Sequence, residues 1–308
     1  YRGKSTCIPV RFVIVFMCFI GISLQYTMKV LLSVAIVAMV KSESSNTTES
    51  QLLESDIDSD DVCPVSETTA STSKQEGEFD WSEDVQGYAL SAYYYGYIAT
   101  QLLGGRLSDV FGAKYVLGPG VFIAGAVTVL GPVAARIHIG AFIASRVIVG
   151  AASGVVIPST QIVFTRWTVP SELMFIGGIV MGGAPLGIVI SMTLSGVIAN
   201  IGGWPMIFYF FGGISIFFII PWLFIAYDSP DIHPRISEAE QKYILSNTVN
   251  ENKLNSLKSH PVPWFEILAS WPMWVHVMMG VGNTWVNYTL MSDLPTYLTE
   301  VLHYNIKD

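Results

Sequence analysis

Charge is scarce in this sequence. Of 308 residues only 13% are Asp, Glu, Lys or Arg, about half the roughly 25% of ordinary soluble domains. A water-soluble fold of this length cannot cover itself with so few charges. That excludes a soluble enzyme, a nucleic-acid binder and a disordered chain as readings of the whole. Cysteine is scarce as well: Cys7, Cys18 and Cys63 stand apart, and no pair has the spacing of a metal or redox site. Apolar residues are plentiful instead, at 51% with 8 Trp and 27 Gly, and the mean hydropathy is +0.49. The chain reads as an all-α polytopic membrane protein.

A membrane-crossing helix needs about 20 mostly apolar residues, and several windows supply them. Residues 12–40 carry only Lys29, and 137–165 only Arg146. Residues 85–105, 115–135 and 267–292 carry no charge. Between Glu172 and Asp228 lie 55 uncharged residues, enough for two spans, with a turn at Ala199-Asn200-Ile201-Gly202-Gly203-Trp204-Pro205. Seven spans are expected. A signal peptide is excluded for the first, because its apolar stretch is too long and no small-residue cleavage site follows it. A seven-helix receptor is the competing reading of the total.

The net charge of −8 is local in origin. Residues 41–85 hold 13 of the 24 acids and only Lys41 and Lys74 among the bases, so the remainder of the chain is net positive. With the amino terminus inside, Arg2, Lys4, Arg11, Arg106, Lys114, Arg166, Arg235, Lys242, Lys253 and Lys258 fall on the cytosolic side. Only Lys41, Lys74, Arg136 and Lys307 fall outside, which favours a cytosolic amino terminus. The expected organisation is a cytosolic segment 1–11, span one at 12–40, an acidic extracytosolic loop 41–85 and spans two to six within 86–226. A cytosolic connection 227–270, span seven at 271–292 and an outer segment 293–308 follow. The Ser-, Thr- and acid-rich loop has a composition that favours disorder, and Asn46-Thr47-Thr48 in it is a glycosylation acceptor. Ile236-Ser237-Glu238-Ala239-Glu240 reads as the capped start of an amphipathic surface helix.

Two cations, Lys29 and Arg146, remain at membrane depth, where each costs about 2.5–3.5 kcal/mol even on a lenient scale. Snorkelling suits Lys29 poorly and Arg146 better, and pairing with backbone carbonyls is the other structural explanation. No Asp or Glu lies in the spans around them, so a water-filled cavity receiving an anion is the functional reading. Tyr93-Tyr94-Tyr95 and Tyr97 could line such a cavity, with Tyr95 chosen as a candidate ligand. Asn283, Thr284, Asn287 and Tyr288 give span seven a polar face from which Asn287 is a second candidate. Gly150-Ala151-Ala152-Ser153-Gly154, Gly177-Gly178 and Gly182-Gly183-Ala184-Pro185 permit close helix packing, or sliding and bending during a transport cycle.

After span two the chain reads Gly105-Arg106-Leu107-Ser108-Asp109-Val110-Phe111-Gly112-Ala113-Lys114. Glycines permit a tight inter-helix loop, and the acid can meet a helix end or a base to latch one conformation. Gly105, Asp109, Gly112 and Lys114 resemble the loop signature of the major facilitator superfamily. Leu32-Ser33-Val34-Ala35-Ile36-Val37-Ala38, Gln86-Gly87, Gly96-Tyr97-Ile98, Arg166-Trp167, Gly203-Trp204-Pro205, His233-Pro234-Arg235-Ile236-Ser237 and Leu294-Pro295-Thr296-Tyr297 follow in order. Together they resemble the anion:cation symporter family, which includes sialin, the vesicular glutamate transporters, the type I sodium–phosphate cotransporters and many insect relatives. The resemblance removes the receptor reading of the span count.

The resemblance implies twelve helices in two halves around a central anion site, of which this chain matches the first six-helix half plus helix seven. The expected partners are therefore a small anion, the lipid bilayer and a missing carboxy-terminal half. It also implies that Lys29 stands where the family has Arg, keeping the charge but losing the bidentate fork. Arg146 matches the fourth-helix Arg, and Leu90 replaces the His of the vesicular glutamate transporters. Val149 and Ser153 replace Glu residues of proton-coupled members, and Val110 replaces a common base. These departures favour Na⁺-coupled or uncoupled transport of phosphate or a small organic anion. The alternatives are a proton-coupled exporter of acidic sugars or amino acids and a non-transporting receptor or regulator. No residue pattern supports an enzyme, and the membrane is expected to be plasma, lysosomal or vesicular.

Overall fold

The computed structural model describes residues 9–40, 77–247 and 264–300, with side chains in the last stretch described from 265 to 286. Asn46 lies outside the described residues. The chain divides into two units, Tyr1–Thr248 and Val249–Asp308. The first contains α1 (Val10–Met39), α2 (Glu83–Phe111), α3 (Ala113–Ile137), α4 (Ile139–Gly154), α5 (Val156–Trp167), α6 (Leu173–Met181), α7 (Gly183–Ile225) and α8 (Glu238–Asn247). The second contains α9 (Trp264–Ala269) and α10 (Trp271–Glu300). Helices dominate because lipid offers no partner for backbone polar groups, and a helix satisfies them within itself. Among the described residues the one β feature is an isolated bridge between Val40 and Phe79.

Among the described residues, four stretches are long and apolar enough to cross a membrane: Val10–Met39, Ala113–Ile137, Ile139–Trp167 and Leu173–Ile225. The last has 53 residues, about 80 Å of helix against a hydrocarbon core of about 30 Å. It holds two crossings. Gly203, with φ 73° and ψ 177°, breaks it inside the expected Gly-Pro turn, in a conformation that only glycine adopts readily. The helices α2 and α10, with 29 and 30 residues, have the length of a span but a more polar composition.

The first unit is held by α1 against α7, α2 against α4 and α3 against α7. Helices in lipid gain little from apolar burial against one another, so they associate through close backbone approach. A Cβ on Gly150 would strike the Tyr93 carbonyl oxygen, and one on Gly96 would strike that of Val147. These two contacts seat α2 on α4. In the α1–α7 seam, Thr27 Oγ1 donates to the Ser23 carbonyl and, at 3.1 Å, to the Gly187 carbonyl, while Ser191 Oγ donates to the Thr27 carbonyl at 3.2 Å.

Two apolar cores result. One runs along α1 from Val10 to Met28 and includes Tyr93, Val149 and Trp222. The other starts on α1 at Leu31 and includes Ala89, Phe142 and Phe208. Lys29 lies on α1 between the two, and Arg146 lies on α4 between Phe142 and Val149.

Carboxylates tie down both ends of the bundle. Pro9 offers the start of α1 no side-chain cap, and Glu240 of α8 accepts hydrogen bonds from the Val10 and Arg11 amides at 3.2 and 3.1 Å. A carboxylate there satisfies orphan N–H groups and meets the positive end of the helix dipole. Arg11 pairs with Glu172 at 2.7 Å, and Ile244 of α8 is buried in the first core. At the opposite end the Phe79 amide donates to the Met39 carbonyl at 3.0 Å. Phe79 stacks on Trp81 and meets Trp204 edge-on. Glu78 takes a bidentate pair from Arg136 at 2.9 and 3.2 Å and a third bond from Trp204 Nε1 at 3.1 Å.

Gly150→Ala should destabilise the detergent-solubilised protein by about 1–3 kcal/mol through overpacking, lowering Tm by roughly 2–10 °C. Gly177, which has nothing within 4 Å of an added Cβ, should tolerate the same change; equal Tm values for the two variants would refute this packing account. The Arg136 hydrogen bond holds the Glu78 carboxyl below its usual value of 4.5. The ion pair therefore contributes fully above pH 4.5 and is lost as pH falls through the lower folded value. Hydrogen exchange in 77–82 should stay protected at pH 5 and open below pH 4.5, and Glu78→Gln should remove that acid step.

Candidate functional site

The Tyr run on α2 separates by helical geometry. Successive residues advance about 100° around the axis, so residues three apart share a face while neighbours diverge. Tyr93, 2% exposed, turns into the bundle. Tyr94 and Tyr97 turn toward Lys29: its Nζ lies 5.2 Å from the Tyr94 ring centre and 5.8 Å from that of Tyr97. Tyr26, one turn before Lys29 on α1, supplies a third ring at 5.3 Å. All three lie within cation–π range, and the ammonium is half-buried. Tyr95 is 69% exposed and is not one of the rings over Lys29.

Arg146 occupies a different environment. It is 1% exposed, and Nη2 donates to the Met28 carbonyl at 3.2 Å, one residue before Lys29. The carbonyl pairing weighed from the sequence is therefore present. Nε has no hydrogen-bond partner. The ion pairs among the described residues, Arg11–Glu172 and Arg136–Glu78, do not involve Arg146. Beside it stands Tyr93, its electrostatic neighbour. The Tyr93 hydroxyl meets Gln25 Nε2 at 3.5 Å, with Ser153 also adjacent. Gln25 is fully buried and its Oε1 has no partner.

Thus α4 brings the Arg146 guanidinium to the α1 carbonyl that precedes Lys29. The arrangement offers a half-buried ammonium walled by phenols and a covered guanidinium with spare donor capacity. Val149 and Ser153, the positions where an acid would matter, are both fully buried, and Val149 lies in the first apolar core. The sequence reading missed Gln25 and Tyr26, and from the Tyr run it chose Tyr95, whereas Tyr94 and Tyr97 are the rings over Lys29. The available signal was spacing: Tyr26 precedes Lys29 by three, and Tyr94 and Tyr97 are three apart. Asn287 falls within α10, but its side chain lies outside the described residues.

The loop signature is also resolved into contacts. Gly112 takes φ 92° between α2 and α3. The carboxylate that meets a helix end here is Asp228, just beyond α7, which accepts from the Lys114 amide at 2.8 Å. That carboxylate lies where a Cβ on Gly112 would stand. The Lys114 ammonium sits 4.1 Å over the Tyr227 ring, and the Lys114 carbonyl accepts from Trp222 Nε1 at 2.9 Å. Asp109 is exposed. Gly105 would meet only Pro158, at 3.8 Å, if given a Cβ, so its backbone is not closely crowded. His233 packs edge-on against Trp167 and Tyr227, and burial holds its imidazole below the usual value.

The Major Facilitator Superfamily profile matches residues 12–307. Human sialin is 36% identical over 307 residues, covering 100% of this chain and 60% of its own. A putative inorganic phosphate cotransporter of Drosophila melanogaster is 35% identical over 310 residues, covering 99% and 57%. Bovine vesicular glutamate transporter 1 is 29% identical over 304 residues, covering 98% and 50%. The chain thus spans about three-fifths or less of the length of these relatives. Among solved structures, the partially occluded inward-open xylose transporter XylE of E. coli aligns with a TM-score of 0.56 at 15% identity, covering 81% of this chain and 58% of that one. At that identity the likeness concerns the fold alone. Profile, relatives and helical architecture agree: the chain is a multi-pass membrane protein of the major facilitator superfamily, in the anion:cation symporter family with sialin, the phosphate cotransporters and the vesicular glutamate transporters.

Proposed function

We propose that the chain is part of a secondary active transporter for inorganic phosphate or a small organic anion, working by alternating access. The observation that carries this reading is Arg146, a buried guanidinium outside both described ion pairs and bonded to the carbonyl adjoining Lys29. A buried charge costs several kcal/mol when it is not compensated, and an incoming anion would compensate it. Lys29 gives the anion a point charge, and Arg146 adds further donors as the anion settles. Tyr95 and Asn287 would complete the contacts in other parts of the cycle. Gly105, Asp109, Gly112 and Lys114 belong to the hinge at which the halves change orientation. The relatives' additional length, about two-fifths of sialin, would supply the other half.

For coupling we favour Na⁺ or none, because Val149 and Ser153 cannot carry a proton through the cycle. A proton-coupled exporter of acidic sugars or amino acids is the second reading, supported by the 36% identity to sialin. A non-transporting receptor or regulator is the third, and specific anion binding without flux would favour it. The distribution of bases supports a cytosolic amino terminus, in a plasma, lysosomal or vesicular membrane, with Asn46 as the glycosylation acceptor on the far side.

The test is uptake of labelled phosphate by the complete transporter in proteoliposomes under an imposed Na⁺ or pH gradient. We expect Na⁺-driven uptake, and Arg146→Ala should raise KM roughly 10- to 100-fold, the equivalent of about 1.5–3 kcal/mol for charge-assisted hydrogen bonds. Uptake driven only by pH would select the proton-coupled reading. Unchanged uptake by Arg146→Ala would end the assignment of Arg146 to the anion.

A further inference from the structure

We infer that Gln25 and Tyr93 are positioning residues that hold Arg146 in a parked state beside the Met28 carbonyl, from which an anion draws it out. The inference rests on the reading of Arg146 as an anion-binding group and adds what controls its readiness.

The buried Gln25 amide lies one turn before Met28 on α1 and reaches the Tyr93 hydroxyl at 3.5 Å. The Tyr93 backbone packs on Gly150, one turn after Arg146 on α4, and Tyr93 is an electrostatic neighbour of Arg146. All three side chains are at most 2% exposed. Arg146 Nε, a donor, and Gln25 Oε1, an acceptor, both lack hydrogen-bond partners. Unpaired buried polar atoms are costly, and more so for a charged group. The parked state therefore holds Arg146 by one backbone bond at 3.2 Å and polar contacts that are neutral and incomplete.

That incompleteness has a consequence. A carboxylate at position 25 would lock Arg146 in a buried ion pair. An apolar residue there would remove the amide that orders Tyr93. The neutral amide holds the guanidinium in place but leaves its charge for another partner. Among the described residues, the titratable groups around position 25 include Tyr93 on α2, Arg146 and Tyr26 as electrostatic neighbours of Tyr93, and Lys29 one turn along on α1.

Gln25→Glu, Gln25→Met and Arg146→Met would be compared in the complete transporter, using labelled inorganic phosphate and, in parallel, labelled glucuronate. Gln25→Glu should raise KM at least tenfold with a smaller change in kcat, and the defect should persist from pH 7.5 to pH 5.5, because a carboxyl paired with Arg146 stays ionised below its ordinary range. Gln25→Met should raise KM less. A ligand-independent measurement runs alongside: Gln25→Glu should raise Tm at pH 7.5, and the gain should vanish in the Arg146→Met background. An equal effect of Gln25→Glu on Tm with and without Arg146, or a KM like wild type, would overturn the inference. If Arg146→Met left KM unchanged while the Tm coupling persisted, the anion-binding reading would fail and Gln25 would remain a purely structural neighbour.

Discussion

The structure depends first on the contact between the Tyr93 carbonyl and Gly150. In lipid, helices adhere by approaching closely rather than by hiding apolar surface from water. That contact fixes both the spacing and the rotation of α2 against α4. Arg146 stands one turn before Gly150, so the contact that packs the helices also brings the Tyr93 phenol beside the guanidinium. It is repeated along the seam, with Gly96 under the Val147 carbonyl and Gly154 close to that of Tyr97. Once the backbones of Tyr93 and Tyr97 are committed to α4, the rings of Tyr94 and Tyr97 are aimed across at Lys29.

The two membrane cations consequently occupy different environments. Lys29 is half-buried, and its charge is spread over phenol faces, an arrangement worth about 0.5–2 kcal/mol where the cation is desolvated. Arg146 is covered, and its planar fork is occupied through one nitrogen by a backbone oxygen. A compact ammonium suits first contact with a hydrated anion, since it can turn among several acceptors. A guanidinium suits the later stage, because its donors match an oxyanion in pairs. On the proposed anion site, the Lys at position 29, where the family resemblance implies Arg, would leave bidentate recognition to Arg146.

Much of this was legible in the sequence, and for definite reasons. Charge-free windows of membrane length locate the long helices because lipid penalises every exposed polar group. The Gly203 break was legible because Gly-Trp-Pro cannot continue a helix. Lys29 and Arg146 stood out because charges are rare at that depth. The aromatic cage was not legible in the same way: a run of four tyrosines does not say which ring turns to which neighbour until the rotation of α2 is known. Gln25 was invisible for a related reason, since an amide among apolar residues carries no signal without its packing partners. Asp228 was missed because the loop signature draws attention to its own acid, Asp109, whereas the acid that seats the start of α3 arrives from 114 residues later in the chain.

Four described carboxylates are engaged away from Arg146. Glu78 binds Arg136, Glu172 binds Arg11, Glu240 caps α1, and Asp228 caps α3. Each sits at an end of the bundle, where water or an orphan amide helps to support the charge. Moving any of them inward would neutralise Arg146 at the cost of desolvating a second ion. Among the described residues these carboxylates fasten helix ends, and Arg146 rests on a neutral carbonyl. A guanidinium so placed is held by geometry and not by a described counter-charge, and the proposed competition by a diffusible anion rests on that condition.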